Sequence, residues 1–179
     1  MFQKTGSDQT KQKREERTMA NVYVFTADGF EEIEGLTVVD LMRRAGAQVK
    51  MVSISDGLAV KGSHGIEIKA DTFFDDVDFS QADLLVLPGG MPGTLYLGEH
   101  EGLTGLLQDF AAKGKRVAAI CAAPSVLGGL GLLKGKRAVC YPGFEDNLQG
   151  RRWRWKKLSQ TAALPPAEAW ERRFLLRWS

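Results

Sequence analysis

The residue with the clearest chemical potential in this sequence is Cys121, which lies in the segment VAAICAAP at residues 117–124. A run of β-branched and small apolar residues is typical of a strand covered on both faces, and Pro124 fits the first turn of a helix. Cys121 is therefore predicted at a strand-to-helix corner, where open α/β sheets bind ligands. The partial positive charge of a helix start predicts a lowered thiol pKa and a nucleophilic or oxidation-sensitive thiolate.

The elements that must position this thiol follow the order β-α-β, hairpin, β-α-β-α-β. This order specifies an α/β fold, a doubly wound and mainly parallel sheet flanked by helices. Hydrophobic spacing and turn residues predict strands at 21–27, 47–54, 84–87, 116–120 and 137–140, helices at 31–46, 103–112 and 123–133, and a hairpin at 59–70 outside the main sheet. Three strand ends, GFEEIEG, LPGGMPG and AICAAP, converge on one edge of such a sheet.

Composition limits the chain to one domain, predicted at residues 20–148, because 179 residues with 44% hydrophobic content support one core. Residues 21–150 carry 11 Lys and Arg against 17 Asp and Glu, whereas residues 151–179 carry 8 against 2. An acidic body argues against nucleic acid as the main partner. Two cysteines do not make a disulfide framework, and no apolar run is long enough to span a membrane. A cytoplasmic setting without membrane association is predicted.

The two termini differ from this domain. Residues 1–19 are mostly polar and are predicted to be a disordered extension, and Met19 is a candidate start because a strand follows directly. Residues 149–179 hold all four tryptophans and dense arginine without strand periodicity. A frame-shifted or otherwise aberrant C-terminus is the favoured interpretation, and a membrane-surface or nucleic-acid element is the alternative.

The three strand-end motifs, together with CYPGFED at residues 140–146, resemble those of the ThiJ/PfpI superfamily, in particular its YajL and deglycase branch. The resemblance covers about Ala20 to Leu148. It implies a flavodoxin-like fold related to class I glutamine amidotransferases, an enzyme without a cofactor, and a homodimer. The first helix, which is apolar over much of its surface, agrees with a homodimer.

By motif position, Cys121 resembles the nucleophilic cysteine of the family and Glu34 its partner carboxyl. A carboxyl buried beside a thiolate resists ionisation, so it holds a proton that it can donate. Gly89 and Gly90 let backbone N–H groups approach a substrate oxygen, and with the Ala122 N–H they are expected to form an oxyanion site.

The remaining titratable residues receive structural interpretations. Glu31 and Glu32 are expected to be solvated acids of the first helical turn, and Cys140 is expected to be a core residue rather than a resolving thiol. His64 and His100 are the only histidines, and neither follows Cys121, which argues against a Cys-His amidotransferase or peptidase. Both are expected at the surface, and no metal site is predicted.

The resemblance thus implies a glyoxalase or deglycase acting on methylglyoxal, glyoxal or a glycated adduct, with a hydroxy acid as the product. One alternative is an oxidative-stress redox sensor or chaperone that uses the same cysteine. A second alternative is an inactive family member, because the strand, glycine-proline turn and final helix of its relatives are not recognisable after Leu148.

Overall fold

The computed structural model describes residues 19–148. Residues 1–18 of the predicted N-terminal extension and the whole Trp/Arg-rich tail lie outside the described residues. Strands are found at β1 (Asn21–Thr26), β2 (Gln48–Ser53), β3 (Ala59–Lys61), β4 (Glu67–Lys69), β5 (Thr72–Phe73), β6 (Leu84–Leu87) and β7 (Arg116–Ala119). The α-helices are α1 (Glu32–Arg44), α2 (Gly93–Glu99), α3 (Glu101–Ala112) and α4 (Pro124–Gly129), with short 3-10 turns at Phe79–Gln81 and Glu145–Asn147.

The central sheet has five parallel strands in the order β5-β2-β1-β6-β7, and β3 and β4 form a separate antiparallel pair. This confirms the doubly wound α/β fold and the separate hairpin. Because the strand order reverses direction beside β1, the carboxyl ends of β1, β6 and β7 lie next to one another. Those three ends carry the motifs that hold Glu34, Gly89 and Cys121.

Alternate residues of β1, β6 and β7 face two separate hydrophobic cores. One core contains Phe25, Leu85 and Val117 with Leu107 and Phe110 of α3. The other contains Val24, Val86 and Ala118 with Phe30 and Val39, and Val39 belongs to α1. Both faces of the sheet are therefore covered, which explains why its central strands are continuous apolar runs.

The boundaries of several elements differ from the predictions. The structure adds α2 and the two-residue strand β5, which were not predicted, and it ends α4 at Gly129 rather than at residue 133. Gly46 lies just beyond α1 with φ +87°, as expected for a residue that follows a helix.

The predicted strand at 137–140 is wrong: these residues have no regular structure and do not join the β7 edge of the sheet. A strand requires a ladder of backbone hydrogen bonds to a neighbour, and within residues 19–148 the sheet ends at β7. The Tyr141 N–H, which directly follows this segment, donates a hydrogen bond to the Cys121 carbonyl at 2.7 Å.

Within the described part of the chain, no helix is long and apolar enough to cross a bilayer.

Candidate active site

Cys121 lies where the sequence predicted it, in the turn between β7 and α4. Its backbone φ is +59°, the one non-glycine residue with positive φ in the region that the structure describes. This conformation costs an L-residue free energy, and it persists only where surrounding contacts impose it. The Ile120 N–H donates to the Leu87 carbonyl at 3.2 Å and the Tyr141 N–H holds the Cys121 carbonyl, so both sides of the turn are fixed.

Glu34 lies in the first turn of α1 and its carboxyl reaches the end of β6. Its Oε2 accepts a hydrogen bond from the Gly89 N–H at 2.8 Å. Burial raises the pKa of Glu34, and the nearby Glu31 charge acts in the same direction, while hydrogen bonds from the Gly89 N–H and the Cys121 thiol oppose the shift. The raised pKa agrees with the expectation that this carboxyl resists ionisation beside the thiol.

Gly89 lies between the carboxyl and the thiol. A Cβ at this position would be 2.6 Å from the Cys121 Cβ and 2.7 Å from Glu34 Oε2, so only glycine leaves room for both. Gly90 has φ +91°, and a Cβ there would overlap the backbone at Gly29 and Glu31. The two glycines therefore allow the first and third strand ends to approach the second.

The backbone donors are divided between the two side chains. The Gly89 N–H is already bonded to Glu34, whereas the N–H groups of Gly90 and Ala122 act on the thiol by lowering the pKa of Cys121. All three predicted oxyanion-site residues are thus at the site, but the Gly89 N–H serves the carboxyl in this arrangement.

The expected lowering of the thiol pKa is wrong. Burial raises the pKa of Cys121 above its ordinary value, and the Glu34 carboxylate raises it further, while the Ala122 and Gly90 N–H groups only partly oppose this. The helix that follows, α4, has just six residues, and the partial positive charge at its start does not outweigh these effects. A thiolate next to a carboxylate would also place two like charges together. One proton shared between the two groups removes that repulsion.

Glu31 and Glu32, which were expected to be solvated, are partly or fully buried. Glu32 is only 4% exposed, and its carboxylate binds the turn that joins β3 to β4. Burial raises the pKa of Glu32, but hydrogen bonds from its own backbone N–H, from His64 and from Ile66 outweigh this effect and hold the pKa at about 2. The side chain of Glu31 is 22% exposed and lies beside His64. No spacing rule could have shown this, because Glu32 and His64 are 32 positions apart.

The other predictions for single residues are partly confirmed. Cys140 is half-buried against the first core, and His64 is exposed. His100 is half-buried rather than at the surface, since its ring packs on Phe74 at 4.7 Å and its Nδ1 accepts from the Leu103 N–H at the start of α3.

Taken together, the fold and this site define a class: an α/β domain with a cysteine in a strained turn after a parallel strand, facing a carboxyl from the first helix. The chain belongs to the DJ-1/PfpI family, whose sequence model matches residues 20–163 and so continues past Leu148.

Curated relatives agree with this membership. Protein dj-1beta of Drosophila melanogaster is 38% identical over 125 residues, covering 70% of this chain and 67% of that protein. A deglycase of Pyrococcus horikoshii is 34% identical over 128 residues, covering 71% of this chain and 75% of that protein. Protein DJ-1 homolog B of Arabidopsis thaliana is 39% identical over 128 residues, but the match spans only 29% of its length.

Solved structures give the same result. Oxidized DJ-1 of Toxoplasma gondii is 42% identical with a TM-score of 0.69, covering 72% of this chain and 70% of that chain. DJ-1beta of Drosophila melanogaster is 37% identical, also with a TM-score of 0.69, covering 73% of this chain and 70% of that chain.

Proposed function

We propose that this chain is a cofactor-free, cysteine-dependent enzyme of reactive carbonyls that converts methylglyoxal or glyoxal to a hydroxy acid, as a glyoxalase or deglycase does. The observation that carries the proposal is the contact of three strand ends at Gly89, which places the Cys121 thiol next to the Glu34 carboxyl. The deglycase name of the Pyrococcus horikoshii relative supports the same reaction class.

The proposed reaction uses the thiol as the nucleophile. Cys121 Sγ adds to the aldehyde carbon of methylglyoxal, and the carbonyl oxygen takes a proton to give a hemithioacetal. Glu34 takes the proton from the hemithioacetal carbon and returns it to the neighbouring carbon, while the hydroxyl proton of the hemithioacetal passes to the former carbonyl oxygen, which leaves the thioester of lactate. Water then cleaves the thioester, releases lactate and restores the thiol, so the net reaction adds one water to methylglyoxal.

Backbone donors supply the electrostatic part of this scheme. An oxyanion forms when the thiol adds to the aldehyde, and N–H groups fixed near the reacting sulfur stabilise such a charge without reorganisation. The Gly90 and Ala122 N–H groups lower the pKa of the Cys121 thiol and therefore suit this role. Because the neutral thiol is favoured by burial, proton removal by the neighbouring carboxyl is part of the first step.

The test is a chiral lactate assay on the purified chain with methylglyoxal. We expect lactate from the native chain and from Cys140→Ser, and none above background from Cys121→Ser. Equal lactate from Cys121→Ser and the native chain would overturn the proposal, since the product would then arise without the thiol.

A redox-sensing role is the second candidate function. The related Toxoplasma gondii structure is of an oxidized protein, and this supports the candidate. Two equivalents of peroxide would convert the Cys121 thiolate to a sulfinate with release of two waters. The N–H groups of Gly90 and Ala122 and a protonated Glu34 are suitable donors to its oxygens. Mass spectrometry after mild peroxide treatment tests this role, and an unmodified Cys121 would refute it.

We also propose that the chain works as a cytoplasmic homodimer through α1. Ile33 and Leu41 of this helix are 70% and 56% exposed, and the burial of such apolar side chains would favour contact with a second copy. Light scattering should give twice the chain mass for the native chain and a monomer for Ile33→Asp. A native chain of monomer mass would contradict the homodimer.

A further inference from the structure

A second cluster of chemically active side chains lies outside the site of Cys121. It joins the start of α1 to the turn between β3 and β4, and consists of Glu31, Glu32, Ser63 and His64. His64 Nδ1 is 3.1 Å from Glu32 Oε2 and 3.4 Å from Glu31 Oε1. Ser63 Oγ lies 3.0 Å from Glu31 Oε2 and 3.1 Å from the same imidazole nitrogen. Two carboxylates, an imidazole and a hydroxyl therefore converge on one point.

We propose that Glu31, Glu32 and His64 form a binding site for a divalent transition-metal cation, with Zn²⁺ as the favoured ion. Zinc takes imidazole nitrogen and carboxylate oxygen at about 2.0–2.2 Å, commonly in tetrahedral geometry. Tetrahedral bonds of that length separate neighbouring ligand atoms by about 3.3–3.6 Å. The His64 nitrogen already lies 3.1 and 3.4 Å from the two carboxylates, so small side-chain adjustments are sufficient.

The carboxylate of Glu32 is held in an orientation that suits a metal ligand. Its Oε1 accepts the His64 N–H at 2.9 Å and the Ile66 N–H at 3.4 Å. Its Oε2 faces the Ser63 hydroxyl and the His64 imidazole instead. Outer hydrogen bonds that fix a ligand in this way are typical of metal sites. Gly62 makes this possible, because a Cβ there would overlap the Glu32 side chain.

The charge at this point also favours a divalent ion. Two carboxylates carry two negative charges, and Glu32 is 4% exposed, so solvent does little to stabilise it. A protonated His64 would compensate one of these charges and leave one, whereas a divalent cation with a neutral imidazole would compensate both.

In the single chain, the site is open to solvent. The His64 side chain is 68% exposed, and the cluster borders a shallow depression lined by Ile33, Leu36 and Ile66. Three protein ligands leave the fourth position of a tetrahedral ion for Ser63 or water. A bound ion would connect α1 to the β3-β4 turn.

The experiment is a calorimetric titration of the full chain with Zn²⁺ alone, in a Cys121→Ser background that removes the competing thiol. We expect one Zn²⁺ per chain. His64→Ala and Glu31→Gln should each weaken binding by about 100-fold or more, since even outer-shell partners of a metal contribute about 10–100-fold. The matched controls are His100→Gln, which changes the other histidine, and Glu67→Gln, which changes an exposed glutamate of β4.

Circular dichroism verifies that each variant is folded. If the Cys121→Ser chain is not folded, the titrations are made in the native chain after alkylation of its thiols. Absence of zinc binding, affinity unchanged by His64→Ala, or an equal loss in His100→Gln would overturn the proposal. None of these results depends on the carbonyl chemistry of Cys121, so the proposed site and the proposed enzyme can fail separately.

Discussion

Replacing Gly89 by alanine tests whether the contact of the three strand ends is what makes the site. The new Cβ would lie 2.6 Å from the Cys121 Cβ, 2.7 Å from Glu34 Oε2 and 3.2 Å from the Ala122 nitrogen. Ordinary van der Waals contacts are 3.4–4 Å, so the thiol-bearing turn and the carboxyl must each move by roughly 1 Å. Neither can move freely, because Glu34 is bonded to the Gly89 N–H and the turn is fixed by Leu87.

The expected cost has two measurable parts. Overpacking a tight contact destabilises a fold by about 1–3 kcal/mol. A misplacement of about 1 Å in a reacting pair lowers the rate by about 100-fold. Denaturant unfolding should therefore show a lower free energy of unfolding for Gly89→Ala, and lactate formation from methylglyoxal should fall by about two orders of magnitude.

Gly105→Ala is the matched control, since it makes the same chemical change in the middle of α3, where a Cβ would meet nothing within 4 Å. A helical glycine replaced by alanine is expected to gain about 0.5–1 kcal/mol, with no effect on lactate formation. If Gly89→Ala keeps activity within a factor of two of Gly105→Ala, the inferred crowding between Glu34 and Cys121 is not present in the working protein.

Three further predictions follow from other contacts. Glu34→Gln should lower lactate formation by about 10²–10⁴-fold, the usual contribution of a proton-transferring group, while Glu67→Gln leaves it unchanged; equal rates would exclude the proton relay. Alkylation of Cys121 by iodoacetamide, measured in Cys140→Ser, should have a pH midpoint above the ordinary thiol value of 9.0, because burial and Glu34 raise its pKa. An alkylation midpoint below 9.0 would mean that the backbone donors dominate. Because the neutral thiol is favoured in the folded state, its contribution to stability is complete below the unfolded-state pKa and is lost as pH rises through the folded-state pKa. In denaturant unfolding, Leu107→Ala in the core should lower the free energy of unfolding by about 2–5 kcal/mol. Leu95 is 49% exposed on α2, so Leu95→Ala should change it by no more than about 0.5 kcal/mol. Similar losses in the two variants would contradict the assigned core.

The sheet could be predicted from sequence because its strands depend on local signals. Leu84–Leu87 is a pure apolar run ended by Pro88, and its bounds were predicted without error. The turn at Cys121 was predictable for the same reason, since Pro124 marks the helix start. The failed strand at 137–140 shows the limit, because apolar alternation identifies residues that suit a sheet but not whether a neighbouring strand exists to pair with them.

Other features depend on residues that are distant in sequence. The raised pKa of Cys121 comes from burial and from Glu34, which lies on a different element of the fold. The burial of Glu32 depends on the turn at Gly62, whose missing side chain provides the space. Helix position alone predicts a solvated Glu32, and only the packing of the β3-β4 turn on α1 shows otherwise.

The central claim is that Cys121 attacks the carbonyl carbon, and peptide mapping of the chain quenched with acid during turnover of isotope-labelled methylglyoxal tests it most directly. The account predicts the label on the peptide that contains Cys121, at a level that rises and then decays as lactate forms. Cys121→Ser should carry no such label. Lactate formation with the label on Cys140 alone, or with no labelled cysteine and full activity in Cys121→Ser, would contradict the account.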